Sequence, residues 1–201
     1  MGLRELKMAR TRQLIADKAF ELFVERGFDQ TTVEQIAAAA EVGPRTLYRY
    51  YPTKEALIVK FVEAHLLVAV ERLREQPDDA PLSEALYALI DSVITTTMEN
   101  ADRVLAIYEM AGRAPGIQAQ FSEVWKRWCD SVSDEVARRY KGRSPELAAR
   151  LAAASANVVI DVSIRTWAES GGTANIRRVV NRSLELIRAG DVPIAEPAVK
   201  R

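Results

Sequence analysis

The sequence is poor in the residues that build most enzyme centres and covalent frameworks. It has one cysteine, Cys129, and one histidine, His65, in 201 residues. A single thiol excludes an internal disulfide and fits a reducing compartment, so a cytoplasmic location is expected. A single imidazole argues against histidine-based catalysis and against a structural zinc site, which draws on several Cys and His ligands. No Gly-rich phosphate loop or other enzyme constellation is visible, and no metal or cofactor is expected. No apolar run approaches the ~20 residues that a membrane helix needs. The basic N-terminus has no apolar stretch behind it, so neither a signal peptide nor a membrane partner is expected. Net charge is also missing, with 28 basic against 28 acidic residues. Strand-like alternation appears nowhere, which leaves an all-α chain.

What is present is organised around Thr31 to Lys54. Thr31-x-x-Glu34 and Thr32-x-x-Gln35 both fit a capping box, so a helix begins near Val33. Val33, Ile36, Ala37 and Ala40 form its apolar stripe. After Glu41-Val42 the chain restarts at Gly43-Pro44, with Gly tolerated at the N-cap and Pro favoured at the first helical position. In that second short helix Leu47 and Tyr51 share a core-facing side. Arg45 and Arg49 share another, with Tyr48 beside it. Two guanidiniums and a phenol on a helix this short suit a DNA major groove, where arginine reads guanine O6 and N7. The bland alternative is a solvated arginine face.

Residues 10–58 resemble the DNA-binding head of the TetR (tetracycline-repressor) family of bacterial transcription regulators. The matching pieces are Ala19-Phe20-Glu21-Leu22-Phe23 through Arg26-Gly27-Phe28, Thr31-Thr32-Val33 with Ile36-Ala37, Thr46 to Tyr51, and Lys54-Glu55-Ala56-Leu57. The resemblance implies a homodimer that binds double-stranded operator DNA of two-fold symmetry and releases it when a small molecule binds. It also implies that Thr32 and Lys54 touch phosphate, and that Pro44, Arg45, Thr46, Tyr48, Arg49 and Tyr50 face the groove. Glu41 departs from the pattern, standing where the family often has Gly. If that residue needs positive φ, the turn is strained by ~1 kcal/mol. Gly43 stands where the family often has Ser. The head is most similar to the mycofactocin-type branch, from Gly2-Leu3-Arg4-Glu5, Ala9-Arg10-Thr11-Arg12 and Arg49-Tyr50-Tyr51-Pro52-Thr53-Lys54. That likeness implies a small hydrophobic or amphipathic, acyl-CoA-like effector.

Along the chain, Gly and Pro punctuate about nine helices: a three-helix helix-turn-helix domain over 1–54, a ligand-binding and dimerisation bundle over 55–190, and a disordered tail over 191–201. The first helix is expected from about Thr11 to Arg26, preceded by a basic arm with Arg4, Lys7, Arg10 and Arg12 against Glu5 alone. That arm either lies on DNA or is a frayed terminus. Thr53 caps a long helix to about Arg74, with Leu57, Phe61, Ala64 and Val68 inward. It spans the junction and is the natural route for coupling.

Aromatics gather in the middle of the chain at Tyr87, Tyr108, Phe121, Trp125 and Trp128. With Ile94, Asn157 and Asp161 they are the candidate ligand residues, since bundles hold pockets between helices. Core packing is the alternative for the apolar residues, and an Asp161–Arg165 pair is the alternative for Asp161. Arg103 and Arg113 either meet an anionic ligand or are solvated, and His65 and Cys129 are expected to be inert. The segment Val158–Trp167 is apolar all round, which asks for burial on two sides. Ile160, Ile164 and Trp167, with Val180 and Leu184 of the last helix, are the expected dimer interface. Two further readings remain at this stage: a DNA-binding regulator with no small effector, gated by a protein partner or ungated, and a helical enzyme.

Overall fold

The computed structural model describes residues 2–193 and 195, and among them the chain forms nine α-helices and no strand. The proposed tail, 191–201, falls largely outside the described residues. Helix α1 (Leu3–Arg26) starts eight residues earlier than Thr11, so the basic arm is helical. The apolar stripe that marks a helix in sequence begins only at Ile15, yet nothing from Leu3 to Leu14 breaks the helix. Glu5 closes its start by accepting a hydrogen bond from the Gly2 amide at 2.8 Å.

Reciprocal bonds between Thr32 and Gln35, 3.2 and 2.9 Å long, start α2 (Val33–Ala39). Thr31 is used differently: its buried hydroxyl donates to the carbonyls of Leu22 and Gly27 and pins the end of α1. The turn then passes through Glu41 at φ 54°, the strained left-handed conformation anticipated for that position. Helix α3 (Pro44–Tyr50) follows, with Gly43 at the N-cap and Pro44 at the first position.

Thr53 caps α4 (Lys54–Arg74), accepting from the Ala56 amide at 3.1 Å. Its buried residues are Leu57, Ile58, Val59, Leu66, Ala69, Val70 and Leu73, whereas Ala64 and Val68 are exposed. The inward face therefore differs from the expected stripe, because α4 packs against α1 near one end and against two body helices along the rest. Those neighbours are α5 (Leu82–Glu99) and α7 (Pro115–Arg139), with α6 (Ala101–Arg113) between them in the chain. Arg139 holds the α4–α5 loop, donating to the carbonyls of Leu73, Pro77 and Ala80.

Helix α8 (Pro145–Glu169) returns along α7 after a short turn, and α9 (Ile176–Ala189) packs on α8. The first half of α8 buries only alanines, Ala149, Ala153 and Ala156, and its second half buries Val159, Ile160 and Trp167. With a mean hydropathy of 1.5 over one stretch, α8 is long and apolar enough to cross a membrane, which corrects the expectation of no such run. That apolarity comes from its two apolar faces, one turned to α5, α7 and α9 and the other outward.

This outward face is not the expected one. Ile160, Trp167 and Val180 are buried within the protomer, and Ile164 and Leu184 pack half-buried against its core. Leu147, Leu151, Val158 and Val162 form the exposed stripe, Val158 being 54% exposed. Periodicity separates the two faces of α8 but does not tell which one its own chain covers.

Candidate nucleic-acid interface and interior cavity

The head is a small core that holds α3 by one face. Leu47 is fully buried and Tyr51 nearly so, against Ile15, Ala19, Phe23, Ile36 and Ala40. The Tyr51 hydroxyl donates to the Arg12 carbonyl of α1 at 3.0 Å, and burial pushes its pKa up. The opposite face is open. Pro44, Arg45, Tyr48 and Arg49 are exposed, and Thr46 and Tyr50 are half-buried at the edges. Among the described residues neither Arg45 nor Arg49 has a carboxylate partner, and the Arg49 guanidinium rests 5.2 Å from the Tyr50 ring centre.

Thr32 is exposed at the start of α2, its hydroxyl accepting the capping bond. Lys54 departs from expectation. Its amine donates to the carbonyls of Phe28 (2.6 Å) and Thr31 (3.1 Å) and lies 4.2 Å from the Phe28 ring centre. It stitches α4 to the α1–α2 loop, so its ammonium is engaged inside the head rather than free for a phosphate.

A cavity of about 900 Å³ opens between α4, α5, α6, α7 and α8. Of the expected ligand residues, Tyr108, Phe121, Trp125, Asn157 and Asp161 line it. Tyr87, Ile94 and Trp128 do not. Tyr87 lies outside on α5 with its hydroxyl 3.4 Å from Asn181 of α9. Ile94 is core, and Trp128 is buried edge-on behind Trp125 with ring centres 5.4 Å apart. Helical spacing marks Ile94 and Trp128 as inward, and only the neighbouring helices decide whether inward means core or cavity, whereas Tyr87 lies off the inward stripe of α5.

Several wall residues were missed. Phe61, Val62, His65 and Leu66 of α4 face the cavity, as does Cys129, although His65 and Cys129 were expected to be inert. Their i, i+1, i+4, i+5 spacing on α4 was the available signal. His65 is oriented by a 2.7 Å hydrogen bond between Nδ1 and the Phe61 carbonyl. Burial, reinforced by Asp130, pushes the Cys129 thiol pKa up. Asp161 pairs with Arg165 at 3.1 Å, as the i,i+4 spacing suggested, while the Asn157 side chain has no hydrogen-bond partner among the described residues. Lys126 and Arg165 stand exposed at the rim.

Between cavity and head lies Arg103 of α6. Its guanidinium sits 4.6 Å from the Phe20 ring centre of α1 and 4.4 Å from that of Phe61, and it pairs with Asp17 of α1 at 3.0 Å. Phe61 is itself cavity wall. Arg103 is therefore neither a ligand group nor a solvated charge, whereas Arg113 is exposed and pairs with Glu109.

Comparison with known proteins agrees with this architecture. Residues 15–60 match the family model described as bacterial regulatory proteins, tetR family, and residues 82–191 match the MftR C-terminal domain. The regulator TcmR of Streptomyces glaucescens is 36% identical over 127 residues, 60% of this chain and 56% of that protein. A Mycobacterium tuberculosis protein named as a mycofactocin biosynthesis transcriptional regulator, MftR, is 30% identical over 132 residues, 66% of this chain and 67% of that protein. The chain's match thus spans little more than half of TcmR. Among solved structures, Thermus thermophilus FadR in complex with lauroyl-CoA superposes with a TM-score of 0.62 at 23% identity, covering 94% of this chain and all of that one. Bacillus subtilis FadR in complex with stearoyl-CoA gives 0.63 at 20% identity, covering 89% and 98%. These relatives are regulators rather than enzymes, and the chain belongs to the TetR family of bacterial transcriptional regulators.

Proposed function

We propose that this chain is a cytoplasmic repressor that binds a two-fold operator as a homodimer and leaves it when an amphipathic small molecule fills the cavity. The observation that carries the DNA reading is the exposed face of α3, where Arg45 and Arg49 stand without acidic partners among the described residues, on a helix fixed from behind by Leu47 and Tyr51. In this reading residues 1–54 are the reading head and 55–190 the sensing and pairing body. Arg45 and Arg49 read bases, Tyr48 and Thr32 serve phosphates, and Pro44 and Thr46 set the approach.

One protomer offers one short reading helix, and a second copy supplies the other half-site. The exposed stripe Leu147, Leu151, Val158 and Val162, with Ile187 of α9, is the surface we assign to that pairing. The effector reading rests on the cavity, whose volume is that of a drug-sized ligand site. Its walls include Phe61, Ile107, Phe121 and Trp125, its rim carries Lys126 and the Arg165–Asp161 pair, and Asn157 lines it with no side-chain partner among the described residues. An apolar body with an anionic head, as in an acyl-CoA, matches that division. Gating by a protein partner alone would leave so large an apolar cavity without a role.

The test is anisotropy against duplexes selected from random sequence, beside scrambled duplexes of equal length. Selectivity of ~10³ or more with a steep salt dependence is expected. Loss of base preference in Arg49→Ala is expected at the position it reads. Acyl-CoAs of increasing length are then added. Release should become ~4-fold more sensitive per added methylene, at ~0.8 kcal/mol each, until the cavity is filled. Equal weak binding to both duplexes overturns the DNA reading, and release independent of chain length overturns the effector reading.

A further inference from the structure

The first three turns of α1 do nothing for the core of the head. Residues 2–10 are exposed, Leu3 at 72%, and the first buried side chain is Ile15. A helical overhang of this kind has little intrinsic stability in water, so its retention calls for another role. The overhang is also strongly basic, with Arg4, Lys7, Arg10 and Arg12 against Glu5 alone. Glu5 is turned back onto the Gly2 amide and caps the helix.

Its position gives it a direction. A shallow groove is lined by Leu3, Arg4, Lys7, Met8 and Thr11 on α1 and by Tyr50 at the end of α3. The Tyr50 ring lies between two guanidiniums, Arg12 at 5.8 Å and Arg49 at 5.2 Å. A cationic track therefore runs from Arg49 past Tyr50 to Arg12 and on to Lys7 and Arg4. At 1.5 Å per residue, the helix from Arg4 to Arg12 is ~12 Å long. That length matches three to four steps of one DNA strand at ~3.4 Å each.

We propose that the α1 overhang is a second DNA-binding element, a clamp in which Arg4, Lys7 and Arg12 hold the phosphate backbone flanking the bases read by α3. The proposal rests on the reading of α3 as the base-reading helix. The ligand is the sugar–phosphate backbone, so the clamp adds affinity without adding sequence preference. A basic helix with exposed leucines also suits an anionic membrane surface. Contiguity with Arg49 through Tyr50 favours DNA.

The experiment compares the full chain with the R4A/K7A double variant and, separately, Arg49→Ala, over a salt series on selected and scrambled duplexes. Both substituted positions in R4A/K7A are exposed, and an unchanged thermal midpoint checks that the fold is intact. Losing two phosphate contacts lowers the slope of log K against log salt by about 1.8. Affinity for selected and scrambled duplexes should fall by the same factor, with their ratio unchanged. The wild-type chain on a duplex trimmed of its flanks should show the same lowered slope. If the wild type reads the selected duplex and R4A/K7A keeps its slope, the clamp is refuted. The same holds if R4A/K7A loses only binding to vesicles of anionic lipid. If wild type and Arg49→Ala bind all duplexes alike, the reading of α3 fails first, which is a separate outcome.

Discussion

Arg103 is a side chain through which the body grips α1 of the head, and its replacement by methionine isolates what the charge contributes. Methionine keeps an apolar stem between Phe20 and Phe61 and removes the guanidinium. The arginine side chain is only 18% exposed, so its contacts with the two rings are largely desolvated, and each such contact is worth ~0.5–2 kcal/mol. Asp17 is 42% exposed, and a pair of that kind adds ~0.2–1 kcal/mol. Arg103→Met is therefore expected to cost about 2 kcal/mol, nearly all of it from the rings. In a chain of 201 residues that corresponds to a fall of roughly 4–8 °C in Tm. Asp17→Asn should cost less than about 1 kcal/mol and almost nothing in the Arg103→Met background, since the partner is already gone. Thermal melts of the four proteins give the cycle directly. If Arg103→Met melts within a degree of wild type, or Asp17→Asn costs as much as Arg103→Met, the rings are not what holds the two parts together.

Three further outcomes are expected. Glu41→Gly relieves the left-handed backbone at φ 54° and should raise the unfolding free energy from urea titration by about 0.5 kcal/mol, the ~1 kcal/mol of strain being partly offset by the freer unfolded chain, whereas Glu41→Val should lower it. Val158→Asp with Val162→Asp places two charges on the exposed stripe of α8 and should give monomers in sedimentation with little change in protomer stability, a result that a dimer persisting at micromolar concentration would contradict. Burial raises the Cys129 pKa, so its alkylation by iodoacetamide should reach half-maximal rate above the ~8.5 of a free thiol. Because the folded value is the higher one, the thiol's contribution to stability is intact below the unfolded pKa and is lost as pH rises through the folded one. A rate midpoint at or below 8.5 would refute the buried placement.

The parts legible in sequence are those set by neighbours a few residues away. The Thr32 and Thr53 caps, Pro44 at the start of α3 and the strained Glu41 turn are all local, and each appears where its residues dictate. The core face of the head follows from spacing, as Ile15, Ala19, Leu47 and Tyr51 show. What the spacing does not carry is the identity of the neighbour. Trp125 and Trp128 are both inward, yet one lines the cavity and the other the core, because that depends on where α4 and α8 leave a gap. Lys54 resembles a phosphate contact in sequence, and only the fold brings the carbonyls of Phe28 and Thr31 to its amine. The overhang of α1 was hidden for the opposite reason: it packs on no core and so has no apolar period to reveal it.

The gradation of side-chain size along α8 has a mechanical consequence. Where Ala149, Ala153 and Ala156 face inward, α7 and α8 can approach closely and stay shut. Farther along, Phe121 and Trp125 of α7 and Asn157 and Ile164 of α8 stand apart around the cavity. The two helices thus make a tapered pair, closed at the alanines and open at the other end, so under the proposed effector reading a guest that widened the open end would turn α7 about the alanines. The far tip of α7 rests on the start of α4, where Gln120 donates to the Thr53 hydroxyl at 3.2 Å and Gly116 abuts the Glu55 side chain. Such a turn would be delivered to the first turn of α4, the helix that follows α3 in the chain, and would there bear on the angle at which α3 is presented.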